Sequence, residues 1–136
     1  MNDSQNKQNV QTVNYADFET IFPSLIETQK TFYAYFYGGY DQNGISWCGD
    51  CNTSKPNVDE GTKILNNQNS IILYRFPLEA ATWRDKSCLY RTHPKLKLTN
   101  IPTLILFQKG VEFTRLVEGQ LNDKENVMDI FNLSKN

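Results

Sequence analysis

The sequence has little of several features that would each indicate a class of protein. Its 136 residues include only three cysteines, one histidine and two tryptophans. No window approaches the roughly 20 continuous apolar residues that cross a bilayer, and the opening MNDSQNKQNV lacks the apolar core of a secretory signal. Three cysteines, two of them close together, do not suit a secreted scaffold built on disulfides. We therefore expect no membrane association and a reducing, cytoplasmic location.

An excess of charge of either sign is also missing. Fourteen basic residues face fifteen acidic ones, and no stretch gathers a block of like charges, so neither nucleic acid nor a membrane surface is an expected partner. A chain of 136 residues with 39% apolar content suits one compact domain. We assign residues 10–136 to this domain, expect it to be monomeric, and expect the polar residues 1–9 to be poorly ordered.

The first half of the chain alternates predicted strands and helices. A short edge strand is predicted at residues 10–13 and an aromatic strand, TFYAYFY, at residues 31–37. Between them, apolar side chains at helical spacing predict a helix, with Pro23 causing a kink or restart near its middle. A second helix, bent by Pro56, is expected after the cysteine pair. The apolar face of the first helix comprises Phe18, Ile21, Phe22, Leu25 and Ile26.

The second half predicts a strand at residues 70–75, a short helix at 86–92 and then an antiparallel hairpin. The hairpin joins strands at 103–107 and 111–117 through a turn that contains Gly110. Asn122, followed three residues later by Glu125, predicts the start of a last helix. These elements predict an α/β fold, in which helices flank a central mixed sheet on both faces and the chain ends in a hairpin plus helix.

The stretch GISWCGDCNTSKP holds the most informative residues. Two positions, Gly49 and Asp50, separate Cys48 from Cys51, and this spacing lets one helical turn bring both sulfurs into bonding distance. If a helix starts here, Cys48 faces unpaired backbone N–H groups and the positive end of the helix dipole, which lowers the pKa of a thiol. Cys51 lies one turn deeper. We therefore predict Cys48 as a nucleophile and Cys51 as the resolving thiol.

Asp50 has two opposing effects on this pair. Its charge disfavours a thiolate on Cys48, but its carboxylate is also able to accept a proton from Cys51 when that thiol attacks. Both roles, pKa modulation and proton transfer, stay open. Trp47 is expected to shield one side of the sulfurs.

Redox chemistry is a better interpretation of Cys48 and Cys51 than a zinc site or an inert role in core packing. A structural zinc site needs four ligands. The chain could supply only Cys48, Cys51, Cys88 and His93, and the last two do not form a second CxxC motif. Inert core cysteines are a poor match to the tryptophan and the polar dipeptide around them. We expect no metal, and we expect Cys88 to pack as a small apolar residue more than to act as a regulatory thiol.

Several stretches together resemble one family. The stretch Ser46–Cys51 reads SWCGDC, Pro56 follows it, and Ile101-Pro102-Thr103 precedes LILFQKG; Trp83-Arg84-Asp85 and TFYAYFYGG complete the set. Over roughly residues 10 to 133, the chain resembles the thioredoxin superfamily and, within it, the small cytosolic proteins of the thioredoxin domain-containing protein 17 family.

The resemblance implies a thioredoxin fold and a thiol-disulfide oxidoreductase active in cell redox homeostasis. It implies that a cis bond at Pro102 exposes the Ile101 backbone to an incoming peptide, and that Pro102, which has no thiol, keeps metal ions from being captured there. We predict Trp47, Ile101 and Pro102 as substrate-binding residues. The expected substrates are disulfides of small molecules, such as cystine, or of selected proteins. No cofactor is expected to be bound, since thioredoxin reductase would deliver electrons from NADPH.

The sequence also departs from the family pattern. Gly49 stands where the family usually has proline, and Tyr35 stands where ordinary thioredoxins bury an aspartate that serves as a base. We do not expect Tyr35 to be that base, so Asp50 or a water is the candidate for the proton of Cys51. The long loop at residues 38–46 predicts a narrower client range than that of thioredoxin. The alternative function is a thioredoxin-fold adaptor that binds partners without turnover.

Overall fold

A mixed sheet of five strands forms the centre of the computed structural model, which describes residues 9–67 and 71–134. The strands are β1 (Val10–Thr12), β2 (Phe32–Gly38), β3 (Ile72–Leu78), β4 (Thr103–Gln108) and β5 (Val111–Val117). The α-helices are α1 (Phe18–Glu27), α2 (Gly49–Thr62), α3 (Ala80–Arg84), α4 (Leu89–Thr92) and α5 (Lys124–Asn132). Short 3-10 turns lie at Tyr15–Asp17, Lys63–Asn67 and Glu118–Asn122.

The order of strands across the sheet is β1-β3-β2-β4-β5. The first three of these run parallel, whereas β4 is antiparallel to β2 and β5 to β4. The β4–β5 turn places Lys109 and Gly110 at φ values of 55° and 81°, the left-handed conformations that a tight hairpin requires. The predicted mixed sheet, C-terminal hairpin and final helix are therefore confirmed.

Strand β2 is fully buried, and its side chains point alternately to the two faces of the sheet. The core therefore consists of two layers, one on each face. Tyr33 contacts Phe131 of α5, with 4.8 Å between ring centroids, and its hydroxyl donates to the Ile130 carbonyl. On the opposite face, Phe36 meets Tyr90 of α4 at 4.9 Å. Successive side chains of a strand point to opposite faces, so α2 and α5 cover one face and α1 and α4 cover the other, as predicted.

Some helix positions differ from the sequence-based expectations. Helix α1 continues through Pro23 without the restart expected near its middle, because the proline lies on the exposed side of the helix. The helix expected at residues 86–92 is shorter, beginning only after Cys88, and α3 was not predicted. The last helix begins at Lys124 because Asp123, and not Asn122, caps it by accepting from the Glu125 amide at 2.9 Å.

The strand expected at residues 70–75 ends three residues later than predicted, at Leu78. Pro77 is tolerated because β1 pairs only as far as Arg75, which leaves this part of β3 with a single neighbour and no ladder bond to lose. Residue 70 lies outside the described residues.

Contacts between the N-terminal segment and the sheet begin at Asn9. Residues 1–8 lie outside the described residues, but Asn9, expected to be poorly ordered, is buried. Its carbonyl accepts from the Leu73 amide at 2.8 Å and its side chain donates to the Ile71 carbonyl at 2.8 Å. Asn9 thus extends the contact between β1 and β3. Among the described helices, none has the length and apolar content to cross a membrane.

Candidate redox site

Cys48 and Cys51 form a disulfide at the amino end of α2. Cys48 is the N-cap of this helix, and its sulfur accepts from the Cys51 amide at 3.2 Å. The predicted helix start and the predicted reach between the sulfurs are both confirmed. After reduction, a thiolate at Cys48 would receive this N–H group and the positive end of the helix dipole, and both favour negative charge.

The two sulfurs differ in exposure in the predicted direction. Cys48 retains 8% of its accessible surface, whereas Cys51 retains none. The Cys51 sulfur accepts from the Gly38 amide at 3.3 Å, so the end of β2 provides a hydrogen-bond donor inside the site. This difference fits Cys48 as the sulfur that meets a substrate and Cys51 as the one that resolves, although these roles stay predictions.

Gly38 is a residue whose importance the sequence reasoning missed, since its pattern indicated only the end of a strand. A β-carbon at this position would lie 2.6 Å from Ser46 Oγ, 2.8 Å from Trp47 Cε2 and 2.9 Å from Cys48 Cβ. These separations are too short for any side chain. Glycine is therefore what lets β2 approach the cysteine loop closely enough for its amide to reach Cys51.

The Ile101–Pro102 segment lies directly beside the disulfide, although it is distant in sequence. Its peptide bond is cis, and the Ile101 carbonyl oxygen is 3.9 Å from the sulfur of Cys48. Both residues are largely buried. The structure thus brings this predicted substrate-binding segment to the more exposed sulfur, while its role in binding stays a prediction.

Trp47 forms the exposed rim of the site, with 39% of its surface accessible. Its Nε1 donates to the Leu78 carbonyl at 2.9 Å, which attaches the indole to the end of β3. The guanidinium carbon of Arg84 lies 5.7 Å from the centre of the indole ring, within cation–π range. Arg84 is thus a further residue at this rim that was not predicted. Trp83 instead is buried, with the Arg91 guanidinium 3.6 Å from its ring centre.

The long loop between β2 and α2 has a defined structure. Tyr40 and Ser46 form an antiparallel bridge, and Asp41 Oδ1 accepts from the amides of Asn43 and Ile45 at 2.8 and 3.0 Å. These bonds hold the turn of the loop in place.

A second set of bonds attaches the loop to α2. The Asn52 side chain accepts from the Ser46 amide and donates to the Ser46 carbonyl, both at 2.8 Å. Ser46 Oγ in turn accepts from the Cys48 amide at 3.0 Å and donates to the Gly38 carbonyl at 2.7 Å. Ser46 therefore links β2, the loop and the cysteine pair.

An open groove of about 820 Å³ lies between this loop and the β3–α3 connection. Aromatic and aliphatic side chains dominate its walls, and Ile45, 56% exposed, lies at its edge. Tyr40, Trp47 and Leu78 also line it, so the groove is continuous with the rim of the redox site. The loop therefore adds an apolar surface next to the disulfide.

A cluster of tyrosines lies beneath α2 on the same face of the sheet. The rings of Tyr35 and Tyr37 stack at 4.8 Å, and Tyr37 lies 5.1 Å from the ring of Tyr40. Burial is the main cause that raises the pKa of each of these three phenols above the usual value. The guanidinium of Arg75 opposes the increase in all three. All three hydroxyls are therefore protonated at neutral pH.

The remaining predicted residues are not brought into the contacts above. Asp50 is half-buried in the first turn of α2, and its role in proton transfer stays a prediction. Cys88 is a buried free thiol that precedes α4. Among residues 9–67 and 71–134, no group of three or more His, Cys, Asp or Glu side chains is placed to hold a metal ion.

Comparisons with known proteins agree with the fold and the cysteine pair described above. Residues 11–133 match the family model described as thioredoxin domain-containing protein 17-like, thioredoxin domain. The chain is 35% identical to mouse (Mus musculus) thioredoxin domain-containing protein 17 over 104 residues, which cover 74% of this chain and 82% of the mouse protein.

Two solved structures of low sequence identity share the fold. Oxidised thioredoxin O2 from Arabidopsis thaliana superposes with a TM-score of 0.64 at 18% identity, over 93% of this chain and 95% of that one. Thioredoxin f2, solved in a complex with ferredoxin:thioredoxin reductase, gives 0.61 at 12% identity over 94% and 96% of the two chains. Fold, family and cysteine pair together indicate a dithiol redox centre.

Proposed function

Since the chain belongs to the thioredoxin domain-containing protein 17-like family of thioredoxin domains, we propose that it reduces disulfides through a Cys48–Cys51 dithiol cycle. The proposed substrates are disulfides of small molecules, such as cystine, or of selected proteins. The observation that carries the proposal is a disulfide at the amino end of a helix, with its less buried sulfur 3.9 Å from the Ile101 carbonyl.

The proposed cycle has two exchange steps. The Cys48 thiolate attacks one sulfur of the substrate disulfide, forms a mixed disulfide and releases the first substrate thiolate, which takes up a proton. Cys51 then loses its proton and attacks Cys48, which forms the disulfide seen here and releases the second substrate thiol. Two electrons pass from the cysteine pair to the substrate, and the oxidised protein must then be reduced.

We propose that thioredoxin reductase returns these electrons from NADPH in a reducing, cytoplasmic compartment. One related fold supports the idea that a reductase can dock on such a site, because thioredoxin f2 has been solved in a complex with ferredoxin:thioredoxin reductase. The exposed Trp47 beside the disulfide would be part of that docking surface.

We propose that the loop narrows the range of clients compared with that of thioredoxin. Its bonds to α2 fix Ile45 and Trp47 as an exposed apolar edge next to Cys48. A large folded client must fit around this edge, whereas a small disulfide needs access only to one sulfur. Small substrates should therefore be favoured over large ones.

The test is a coupled assay in which thioredoxin reductase and NADPH reduce the protein and cystine reoxidises it. NADPH consumption should depend on the protein and be abolished in Cys48→Ser. Cys51→Ser should accumulate a mixed disulfide through Cys48. Cys88→Ser, which removes the buried third thiol, is the matched control and should keep the activity.

Two outcomes would contradict these proposals separately. A protein that consumes no NADPH and forms no mixed disulfide would be an adaptor of thioredoxin fold, and the reductase function would be wrong. Insulin reduction as fast as that of thioredoxin would leave the chemistry intact but overturn the narrow client range.

A further inference from the structure

The amide of Gly38 is a buried backbone donor that the sheet does not use. Strand β2 pairs with β4 only as far as Phe36, which lies opposite Thr103. On the side of β3, the bond to the Leu78 carbonyl comes from Gly39 instead. Gly38 is buried, and a buried N–H group needs a partner inside the protein. Here that partner is a sulfur.

The Gly38 amide donates to the sulfur of Cys51 at 3.3 Å. Among residues 9–67 and 71–134, this is the only hydrogen bond to that sulfur, and Cys51 has no accessible surface through which water could supply another. A disulfide sulfur is a weak acceptor, whereas an ionised group is a strong one. The bond is therefore weak in the oxidised protein and strengthens when Cys51 carries a negative charge.

Ser46 fixes the position of Gly38 relative to the cysteines. Its Oγ donates to the Gly38 carbonyl at 2.7 Å and accepts from the Cys48 amide at 3.0 Å. Its own amide and carbonyl both bond to the Asn52 side chain at 2.8 Å. Ser46 is only 6% exposed, so these bonds are shielded from competing water. The hydroxyl thus sets the separation of β2 and α2 on which the amide–sulfur bond depends.

The titratable groups on the elements around Cys51 do not stabilise negative charge on its sulfur. Asp50 adjoins it in α2, where neighbouring positions do not face each other, and a carboxylate disfavours a nearby thiolate. In β2, burial raises the pKa of Tyr35 and of Tyr37, so both phenols are neutral at pH 7. Ion pairs at 2.8 and 3.4 Å hold the charged groups around these tyrosines, namely Lys55, Asp59 and Arg75.

We propose that the Gly38 amide stabilises the thiolate of Cys51 when it attacks the mixed disulfide, and that Ser46 is a positioning residue that aims this amide at the sulfur. This inference rests on the proposed reductase function and names what assists its second step. Above ambient pH, each increase of one in the pKa of a thiol lowers its thiolate fraction about tenfold, while the nucleophilicity of the thiolate rises only about threefold. A buried thiol therefore reacts faster when a hydrogen bond lowers its pKa.

The bond changes balance while the amide proton stays on Gly38. Cys51 loses its S–H proton to water, its thiolate forms the bond to Cys48, and the bond from Cys48 to the substrate sulfur breaks. The electron pair of the broken bond leaves with the substrate thiolate, which takes up one proton from water. The protein ends with the disulfide seen here and with the amide–sulfur bond in its weaker form.

The first experiment measures the ionisation of Cys51 alone, in a protein that carries both Cys48→Ser and Cys88→Ser. Serine is an effective N-cap, so α2 should still begin after residue 48. The ¹³Cβ chemical shift of labelled Cys51 reports its pKa, and the amide proton of Gly38 should shift with the same midpoint. Adding Ser46→Ala should raise the pKa of Cys51 by about one, because a hydrogen bond to the charged form favours that form.

The second experiment separates the two exchange steps with the aromatic disulfide dithiobis(nitrobenzoate) on reduced protein, in a Cys88→Ser background. Attack by Cys48 releases one coloured thiolate, and attack by Cys51 releases the second. At neutral pH, Ser46→Ala should leave the first release unchanged and slow the second about threefold, because about tenfold less thiolate is offset by its roughly threefold greater nucleophilicity. At a pH above the pKa of Cys51 in both proteins, the second release should no longer be slower in the variant.

Tyr33→Phe is the matched control from strand β2. Its hydroxyl also donates to a backbone carbonyl at 2.7 Å, that of Ile130, so the two variants lose the same kind of buried bond. Tyr33→Phe should lose stability but keep the pKa of Cys51 and both release rates. Equal effects of the two variants on Cys51 would mean that general destabilisation is the cause, and the role of Ser46 would be wrong.

An unchanged pKa of Cys51 and an unchanged second release in Ser46→Ala would also overturn the proposal, while the first release would still support the reductase. If Ser46→Ala failed to fold, the protein that carries only Cys48→Ser and Cys88→Ser still provides a test. A Gly38 amide proton that does not respond when Cys51 ionises in that protein would show that the amide does not stabilise the thiolate.

Discussion

At the scale of single residues, the redox site depends on the absence of a side chain at Gly38. A β-carbon there would lie closest to atoms of Ser46, Trp47 and Cys48. Side chains of the redox site therefore already occupy the space that a side chain at position 38 would need. Gly39, its neighbour, has ordinary room, with Pro77 Cβ at 3.6 Å. The two adjacent glycines therefore differ in whether a larger side chain fits at their position.

This difference gives a paired prediction. Gly38→Ala should lower the free energy of unfolding by about 1–3 kcal/mol through overpacking, and it should weaken the amide contact to Cys51. Gly39→Ala should leave stability unchanged or raise it by about 0.4–1 kcal/mol. Urea unfolding of both oxidised proteins measures this, and equal stabilities of the two variants would show that the close approach at Gly38 is not real.

At the scale of elements, the loop and α2 act as one unit because Asn52 bonds to both the amide and the carbonyl of Ser46. Asn52→Ala should remove both bonds, at a cost of about 1–3 kcal/mol given a net contribution of about 0.5–1.5 for each. It should also speed hydrogen exchange of the amides in residues 40–46 more than elsewhere.

Asn132→Ala is the control for that variant. Its side chain donates only to the Met128 carbonyl on the exposed side of α5, so its loss should leave exchange in the loop unchanged. Exchange that accelerates evenly over the whole sheet in Asn52→Ala would mean that the loop has no local role.

The elements themselves divide into those that periodicity predicts and those that it does not. The aromatic run of β2 and the hairpin of β4 and β5 were predicted because strong local patterns specify them. Helix α3 was missed because its residues, AATWR, form a single turn that depends on packing of Trp83 against Arg91. Its position follows from tertiary contacts, which a local pattern does not contain.

At the scale of the whole molecule, all seven tyrosines have pKa values raised above the usual value of 10.0, chiefly by burial. The unfolded chain therefore releases phenolic protons at a lower pH than the folded protein does. Stability from these groups is fully present below about pH 10 and is lost as pH rises above it, by up to about 1.4 kcal/mol per pH unit for each group.

The prediction is a steep loss of stability in alkali. Urea unfolding of the oxidised protein should give a constant free energy between about pH 8 and 9 and a decreasing one above about pH 10. Phenolate absorbance should rise together with unfolding and not before it. Full ionisation of several tyrosines in a folded protein would contradict this.

How much of the redox site could be predicted depends on distance along the chain. Cys48 and Cys51 were found because their spacing is local, and Ile101 and Pro102 only because the chain resembles a family. Gly38 and Arg84 were missed because their roles arise where separate elements meet: an amide of β2 reaches a sulfur of α2, and the guanidinium lies over an indole. Contacts of this kind cannot be predicted from the spacing of residues along the sequence.

The placement of the two indoles also gives the molecule an optical readout. Trp47 adjoins Cys48 and is partly exposed, whereas Trp83 is enclosed beneath Arg91. A disulfide and a pair of thiols quench a neighbouring indole to different extents, so we expect the fluorescence of Trp47 to change on reduction while that of Trp83 provides a background. The oxidation state of the cysteine pair could then be followed in solution without attaching any dye.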